Sequence, residues 1–429
     1  MNYTKLSREQ LLIQKALLQG IYNDYKAKGL KLDISRGKPA PEMLSLANPI
    51  LSVLNENSDL HAEDGMDARN YGGLDGIPEA KRLFSEILGV APESLIVYGN
   101  SSLNLMYDTL VRSMIFGVFA GGVPLYECKN RKWLCPVPGY DRHFAITDKL
   151  GFEMINIPMN EDGPDMDMVE KLVSDDPDIK GIWCVPVYSN PTGTVYSHKV
   201  IERLAALKPA SRDFRIYCDN AYVMHTFAGA SKLKAANLLT EAQKRGNGSM
   251  VYLFTSTSKI SFAGGGVSAI ASGDENLAFY KKLLSYQTIG HDKLNQLRHA
   301  RYFKNLDGVA AHMEKYMALL VPKFETVCAK LKEGLGATDI ATWNEPKGGY
   351  FVSVDLLPGC AKRTVALCKE AGLVLTPAGA TYPYGIDPND TTIRISPSFP
   401  HVDQLSEAMD VFCASAKLAA VEKLLQQEK

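Results

Sequence analysis

The chain carries short apolar runs with little polar alternation: "SLIVY" at 94–98, "GIWCVPVY" at 181–188, "FRIYC" at 214–218, "MVYLF" at 250–254 and "GVSAIAS" at 266–272. Runs of this kind predict strands buried on both faces, the habit of a parallel sheet covered by helices. Between them, residues 103–116 and 198–207 follow a helical pattern, so strand and helix alternate. Ahead of all of them, Ser7 with Gln10 three residues on forms a capping-box signature that opens an amphipathic helix to about residue 25. The expected fold class is α/β with a mostly parallel sheet.

After about residue 302 the texture changes. Residues 305–335 place Val309, Met313, Tyr316, Leu320, Phe324, Val327 and Leu331 at three- or four-residue steps, which predicts one long helix ended by Gly334 and Gly336 and bent at Pro322. Strand-like "GGYFVSVDLL" and "TTIRIS" follow, then an amphipathic helix from about residue 403. The division expected is a large domain over 45–305 and a smaller α+β domain built from 1–44 and 306–429.

Composition narrows the function. A chain of 429 residues is long enough for two to three domains of roughly 100 to 200 residues each. Its 47 Lys+Arg and 48 Asp+Glu give a formal net charge of -1 with no long basic block, which argues against nucleic acid or an anionic membrane as partner. Eight cysteines show neither CxxC nor Cys/His metal spacing and read as buried, reduced thiols of a cytoplasmic protein; His225, His291 and His299 also lack zinc-type spacing. Lys5, Arg8, Glu9 and Lys15 interrupt the N-terminal stretch, so no export signal is expected, and the weakly polar run at 114–125 is too short and broken to span a bilayer. A soluble protein is expected.

Ligands of open α/β sheets bind outside the carboxyl ends of the strands, and here the strand ends carry the chemistry. "SLIVY" runs into Gly99, Asn100, Ser101 and Ser102; "GIWCVPVY" into "SNPTG"; "FRIYC" into "DNAY"; and "MVYLF" into "TSTSK". A helix N-terminus at Asn100–Ser102 suits a phosphate, although an ordinary Ser or Asn cap is the plainer reading. A lysine at the inner end of a buried strand, Lys259, would have a depressed pKa and be nucleophilic toward an aldehyde. Asp219 either caps a turn or holds a ring nitrogen protonated. Phosphate cradle, imine-forming lysine and ring-nitrogen acid together describe pyridoxal 5'-phosphate.

The ordered set "SNPTG", "CDNAY" and "STSK" resembles the class I aspartate aminotransferase family of fold-type-I pyridoxal phosphate enzymes, over roughly residues 33–399. That resemblance implies Lys259 as Schiff-base lysine and proton shuttle, Asp219 as partner of the ring nitrogen, and Asn190 and Tyr222 on the phenolic oxygen. It implies Tyr140 of "PGYDRHF" as the aromatic stacked on the ring. Asn100, Ser101, Ser102 and Ser256 would hold the phosphate, joined by Tyr71 from a neighbouring subunit, hence a homodimer. Arg394 of "TIRISPSF" would grip the substrate α-carboxylate, with Asn190 and with Gly37 and Arg36 of "SRGKP" on the same side.

Two departures stand out. The family arginine seven residues after the Schiff-base lysine is Gly266 here, which places "SKISFAGGGVS" in a divergent aspartate aminotransferase subgroup, together with "SRGKP" and "QTIGHDKLNQLRH". The arginine for a distal carboxylate falls near Lys293, with His291, Arg298, Arg36 and Lys38 as other cations in range. Transamination of aspartate or glutamate with 2-oxo acids is the expectation; a lyase on the same cofactor and a non-catalytic sensor are the alternatives. "GGGVSA" from Gly264 also satisfies a GxGxxA dinucleotide fingerprint, which a βαβ context would have to support.

Overall fold

The described residues form thirteen strands: β1 (Leu32–Asp33), β2 (Leu95–Val97), β3 (Lys132–Val137), β4 (Glu153–Asn160), β5 (Gly163–Pro164), β6 (Ile179–Cys184), β7 (Arg215–Asp219), β8 (Val251–Ser256), β9 (Ser268–Ser272), β10 (Ala341–Trp343), β11 (Val352–Leu356), β12 (Leu373–Val374) and β13 (Thr392–Ile395). They are seen in a computed structural model that describes residues 1–227 and 236–427.

Eight strands form one sheet in the order β2-β9-β8-β7-β6-β3-β4-β5. The five from β8 to β4 run parallel, while β9 runs against both neighbours, so β2 points the same way as β8. The carboxyl ends of β2, β6, β7 and β8 therefore open on one edge. Every residue of β6, β7, β8 and β9 is buried. Alternate side chains enter two separate cores, as the two-residue period of a strand requires: Ile216, Cys218, Val251 and Leu253 on one face, Tyr217, Tyr252 and Phe254 on the other.

The aromatic face is packed ring against ring. Trp133, Trp183 and Tyr217 meet in turn with ring centroids 5.3 and 5.2 Å apart, and Phe152 closes on Trp133 at 5.3 Å. Register sets Trp133 directly across from Gly181. A Cβ at Gly181 would lie 2.6 Å from the indole Cζ2.

A second sheet, β10-β11-β13, is antiparallel, and β1 pairs with β12 in parallel, joining the N-terminal segment to the C-terminal third of the chain. The helix Arg8–Ala27 starts at the predicted capping box, with both reciprocal bonds between Ser7 and Gln10 present. The long helix spans Leu306–Leu335 and continues through Pro322. Gly334, expected to end it, lies inside instead, because a Cβ there would come 2.6 Å from Cys413 Sγ: the glycine serves close packing against the helix Val402–Gln427, and Gly336 is the cap. The "GGGVSA" segment leads into the antiparallel strand β9, which removes the βαβ context of a dinucleotide site. Among the described residues no helix is long and apolar enough to cross a membrane.

Four histidines, His225, His291, His299 and His312, are held below the ordinary imidazole value by burial. His225 sits well below the ordinary imidazole value of 6.5, at about 3, through desolvation and the nearby Lys259 charge. His291 and His299 are pushed to about 4, chiefly by the same loss of water. His225 Nε2 lies 3.1 Å from the Lys259 carbonyl oxygen, and His299 bridges Ser261 Oγ and the Asn295 carbonyl at 2.8 Å each.

Two outcomes are expected. Gly181→Ala destabilises the chain by about 1–3 kcal/mol in urea unfolding, because Trp133 is ringed by aromatics and cannot yield; an unchanged midpoint contradicts the packing. For the histidines the folded pKa lies below the unfolded one, so the unfolded chain takes up protons first. Their contribution is fully present above pH 6.5 and is lost as pH falls toward 4 and then 3. Thermal midpoints at pH 7.5, 6 and 5 should decline in that order, and a flat series contradicts it.

Candidate active site

Strand β7 ends at Asp219, which is buried and has its Oδ2 3.2 Å from His143 Nε2. Its Oδ1 is buried with no hydrogen-bond partner. An orphaned carboxylate oxygen costs free energy unless something completes it, so this atom marks a place for a donor. His143 is held for its task from the far side: its ring stacks on Trp183 at 4.4 Å and 11°, which aims Nε2 at Asp219. Tyr140, on the same turn, meets His143 edge-on at 4.9 Å. Burial raises the Tyr140 phenol to about 12, and the Asp219 charge pushes it the same way.

The adjacent strand end is tied to this one. The Asn220 N–H donates to the Phe254 carbonyl at 2.8 Å, and the Thr255 hydroxyl donates to the Asn220 carbonyl at 3.2 Å. From Ser256, the last residue of β8, the chain turns through Ser258 to Lys259. The Lys259 Nζ lies 4.9 Å from the centre of the Tyr222 ring, with Tyr350 at 6.0 Å. Desolvation among these rings lowers the lysine pKa from its ordinary value, and the Asp219 charge opposes that only in part. Tyr222 itself is buried and its phenol is pushed far up by the same dryness.

At the β2 end, Asn100, Ser101 and Ser102 lead into the helix Ser102–Phe116. Ser101 stands at the cap position, yet its side chain makes no capping bond, so the plain reading of a serine cap is not realised. Ser256 donates to Ser258 at 3.0 Å and Ser258 to the Asn100 carbonyl at 3.2 Å, which draws the two hydroxyl-rich loops into one cradle. Gly266 closes its floor. A Cβ there would stand 3.0 Å from the Phe262 carbonyl oxygen and from Thr257 Oγ1, and 3.1 Å from the Ser258 nitrogen. Asn295 Nδ2 pins this glycine run by donating to the carbonyls of Gly265 and Gly266 at 3.0 and 2.9 Å.

Opposite the cradle, Arg394 rises from β13 with its guanidinium carbon 4.8 Å from the centre of the Phe351 ring. Nη1 donates to Asn190 Oδ1 at 3.3 Å and to Asp141 Oδ1 at 2.9 Å, and Nη2 to Thr376 Oγ1 at 3.5 Å. Nε is buried and unpartnered. Gly37 lies against the same ring, where a Cβ would fall 2.6 Å from Phe351 Cζ. Tyr188, just before "SNPTG", holds a positive φ of 53°, a strained conformation for an aromatic residue.

Lys259, Asp219, Tyr222, Tyr140, Asn190, Arg394, Ser256 and the 100–102 loop are thus brought to one cleft. Tyr71 is not: it stands 80% exposed on the surface of this chain. Arg36 is exposed and has no ion-pair partner among the described residues. Of the other cations considered for a distal carboxylate, Lys293 donates to the Gly72 carbonyl at 2.8 Å, Arg298 to Asn295 Oδ1 at 3.3 Å, and Lys38 Nζ sits 3.8 Å from the Phe399 ring centre. His143 and Asp141 do not stand out in the sequence. The signal available there is their place beside Tyr140 at the start of the helix Asp141–Lys149.

The family model for aspartate amino-transferase matches residues 6–428. A Corynebacterium glutamicum protein named aspartate aminotransferase is 46% identical, with 94% of this chain and 92% of that one covered. The crystal structure of an aspartate transaminase from the same organism matches with a TM-score of 0.96 and 44% identity over 99% of both chains. An alpha-aminoadipate aminotransferase of Thermus thermophilus, solved with N-(5'-phosphopyridoxyl)-L-leucine, shares the fold at a TM-score of 0.71 and 20% identity, covering 100% of this chain and 97% of that one. These names support transamination and give no support to a lyase. The chain belongs to the aspartate aminotransferase family and is an aminotransferase.

Proposed function

We propose that this aminotransferase moves the amino group between aspartate or glutamate and their 2-oxo acids with pyridoxal 5'-phosphate, as a cytoplasmic homodimer. The observation that carries the reading is the pairing of an orphaned, buried Asp219 Oδ1 with a partly buried Lys259 in one cleft. The residues fit the cofactor. Asp219 would accept from the protonated ring nitrogen and complete its own unpaired oxygen; the 100–102 loop and Ser256 would supply hydroxyl and N–H donors to the phosphate. When bound, the cofactor supplies an aldehyde for covalent attachment to amines and a ring that accepts electrons released at the substrate α-carbon.

The protein's own groups then divide the work. Lys259 Nζ, with its proton affinity lowered by desolvation, takes the proton from the substrate α-carbon and returns one on the way back. His143 fixes which Asp219 oxygen remains free. Tyr222 and Asn190 offer hydrogen bonds to a phenolic oxygen, and Tyr140 covers the ring face. Arg394 binds the substrate α-carboxylate with its planar fork and orients the α-C–H bond. Gly37 gives the N-terminal segment room at Phe351, and Arg36 beside it, exposed and without an ion-pair partner among the described residues, is the cation assigned here to a distal carboxylate. Tyr71, exposed on its own chain, would reach the phosphate of a second copy. Residues 45–305 and 1–44 with 306–429 are proposed as the two domains, supported by the separate sheets.

With purified enzyme, aspartate should shift the coenzyme absorption band and 2-oxoglutarate should return it; no half-reaction with any amino acid sinks the proposal. Lys259→Ala should keep the far-UV dichroism of the parent and lose at least about 10³-fold in turnover. Borohydride reduction followed by peptide mapping should place the cofactor on residue 259, and a label elsewhere overturns the assignment. Asp219→Ala should lower turnover by about 10²-fold or more and loosen the cofactor; normal turnover with normal cofactor affinity refutes the ring-nitrogen role.

A further inference from the structure

The partner of Arg394 in this chain is itself a carboxylate. Asp141, 253 positions earlier in the sequence, places Oδ1 2.9 Å from Nη1. It is the first residue of the helix Asp141–Lys149, which follows β3 of the eight-stranded sheet, whereas Arg394 belongs to the three-stranded sheet. The helix start by itself favours a negative charge there, so Asp141 does not need the arginine to be tolerated. Arg394 is buried, but the Asp141 side chain remains 32% exposed and has water to turn into.

The contact is incomplete. One oxygen meets one nitrogen, Nη2 reaches only the Thr376 hydroxyl at 3.5 Å, and Nε is buried without a partner. A planar fork that can hold a carboxylate through two parallel bonds holds this one through a single bond. Among the described residues no other carboxylate pairs with Arg394.

We propose that Asp141 is a specificity-determining residue: its carboxylate stands on Arg394 in the place of the substrate α-carboxylate, and a ligand binds by displacing it with a bidentate pair. The inference rests on Arg394 as the α-carboxylate site. Its chemistry is symmetrical with respect to the reaction, since an amino acid and a 2-oxo acid carry the same carboxylate and meet the same competitor. A ligand that cannot form both bonds gains little from the exchange. The residue thereby filters for rigid, fully ionised carboxylates next to the reacting carbon.

The sign of one measurement separates competition from support. If Asp141 competes, Asp141→Asn lowers KM for aspartate and for 2-oxoglutarate together, by about fivefold each, the worth of a partly exposed ion pair. Succinate titrated calorimetrically into the holoenzyme should tighten by a similar factor, and Asp141→Glu should restore the weaker binding. Asp141→Ser provides a second neutral variant should the first not fold. An unchanged or raised KM in the neutral variants, while Arg394→Gln abolishes succinate binding, overturns the competition and leaves the proposed function standing. Unchanged succinate binding in Arg394→Gln removes the α-carboxylate site itself, and with it both readings.

Discussion

One buried carboxylate with one free oxygen organises the site. Asp219 ends a strand whose residues are buried throughout, so neither side of it offers water to satisfy its charge. Leaving a polar atom unpaired in such a place costs about 1–3 kcal/mol, a cost the fold accepts at the end of β7. His143 takes one oxygen, and stacking on Trp183 prevents the imidazole from swinging across to the other. The aromatic core on that face of the sheet therefore does more than exclude water: it determines which atom of Asp219 is left to face the cleft.

The same dryness acts with opposite consequences on the other ionisable groups. Lys259 loses proton affinity, while the phenols of Tyr140 and Tyr222 become harder to ionise. Neutral hydroxyl donors thus stand near an amine made readier to be uncharged, the state that the proton-transfer role proposed for Lys259 requires. Arg394 brings a buried cation to the same place, and the fold answers it with Asp141 at 2.9 Å.

Much of this is legible in the chain, and the omissions have physical causes. β6, β7 and β8 announce themselves because strands buried on both faces cannot alternate in polarity. Strand β4 does not, because "EMINIPMN" lies near the sheet edge, where burial is uneven, and β3 is hidden because Pro136 interrupts "KWLCPV". The helix Asp274–Gln287 buries only Asn276, Leu277, Tyr280 and Leu284, too thin an apolar stripe to stand out. Gly334 looks like a stop signal because sequence does not reveal that Cys413 lies against it. At the cleft, Lys259, Asp219 and Asn190 are readable from the strand ends that carry them, whereas Arg394, inside β13, is legible only through the family resemblance of "TIRISPSF". His143 and Asp141 are not, because each is defined by a partner brought from a distant part of the chain: Trp183 for one, Arg394 for the other.

Gly266 leaves a mark on how the cradle can change over time. Any β-carbon at that position would press against two backbone atoms and a hydroxyl, so the turn leading into β9 must first relax before a cation can be installed there. A single codon change is therefore a poor route to a charged side chain at this position. If the cradle holds the proposed phosphate, it does so with neutral donors for as long as that turn keeps its shape, and the loop around residue 100 is freer to change than residue 266.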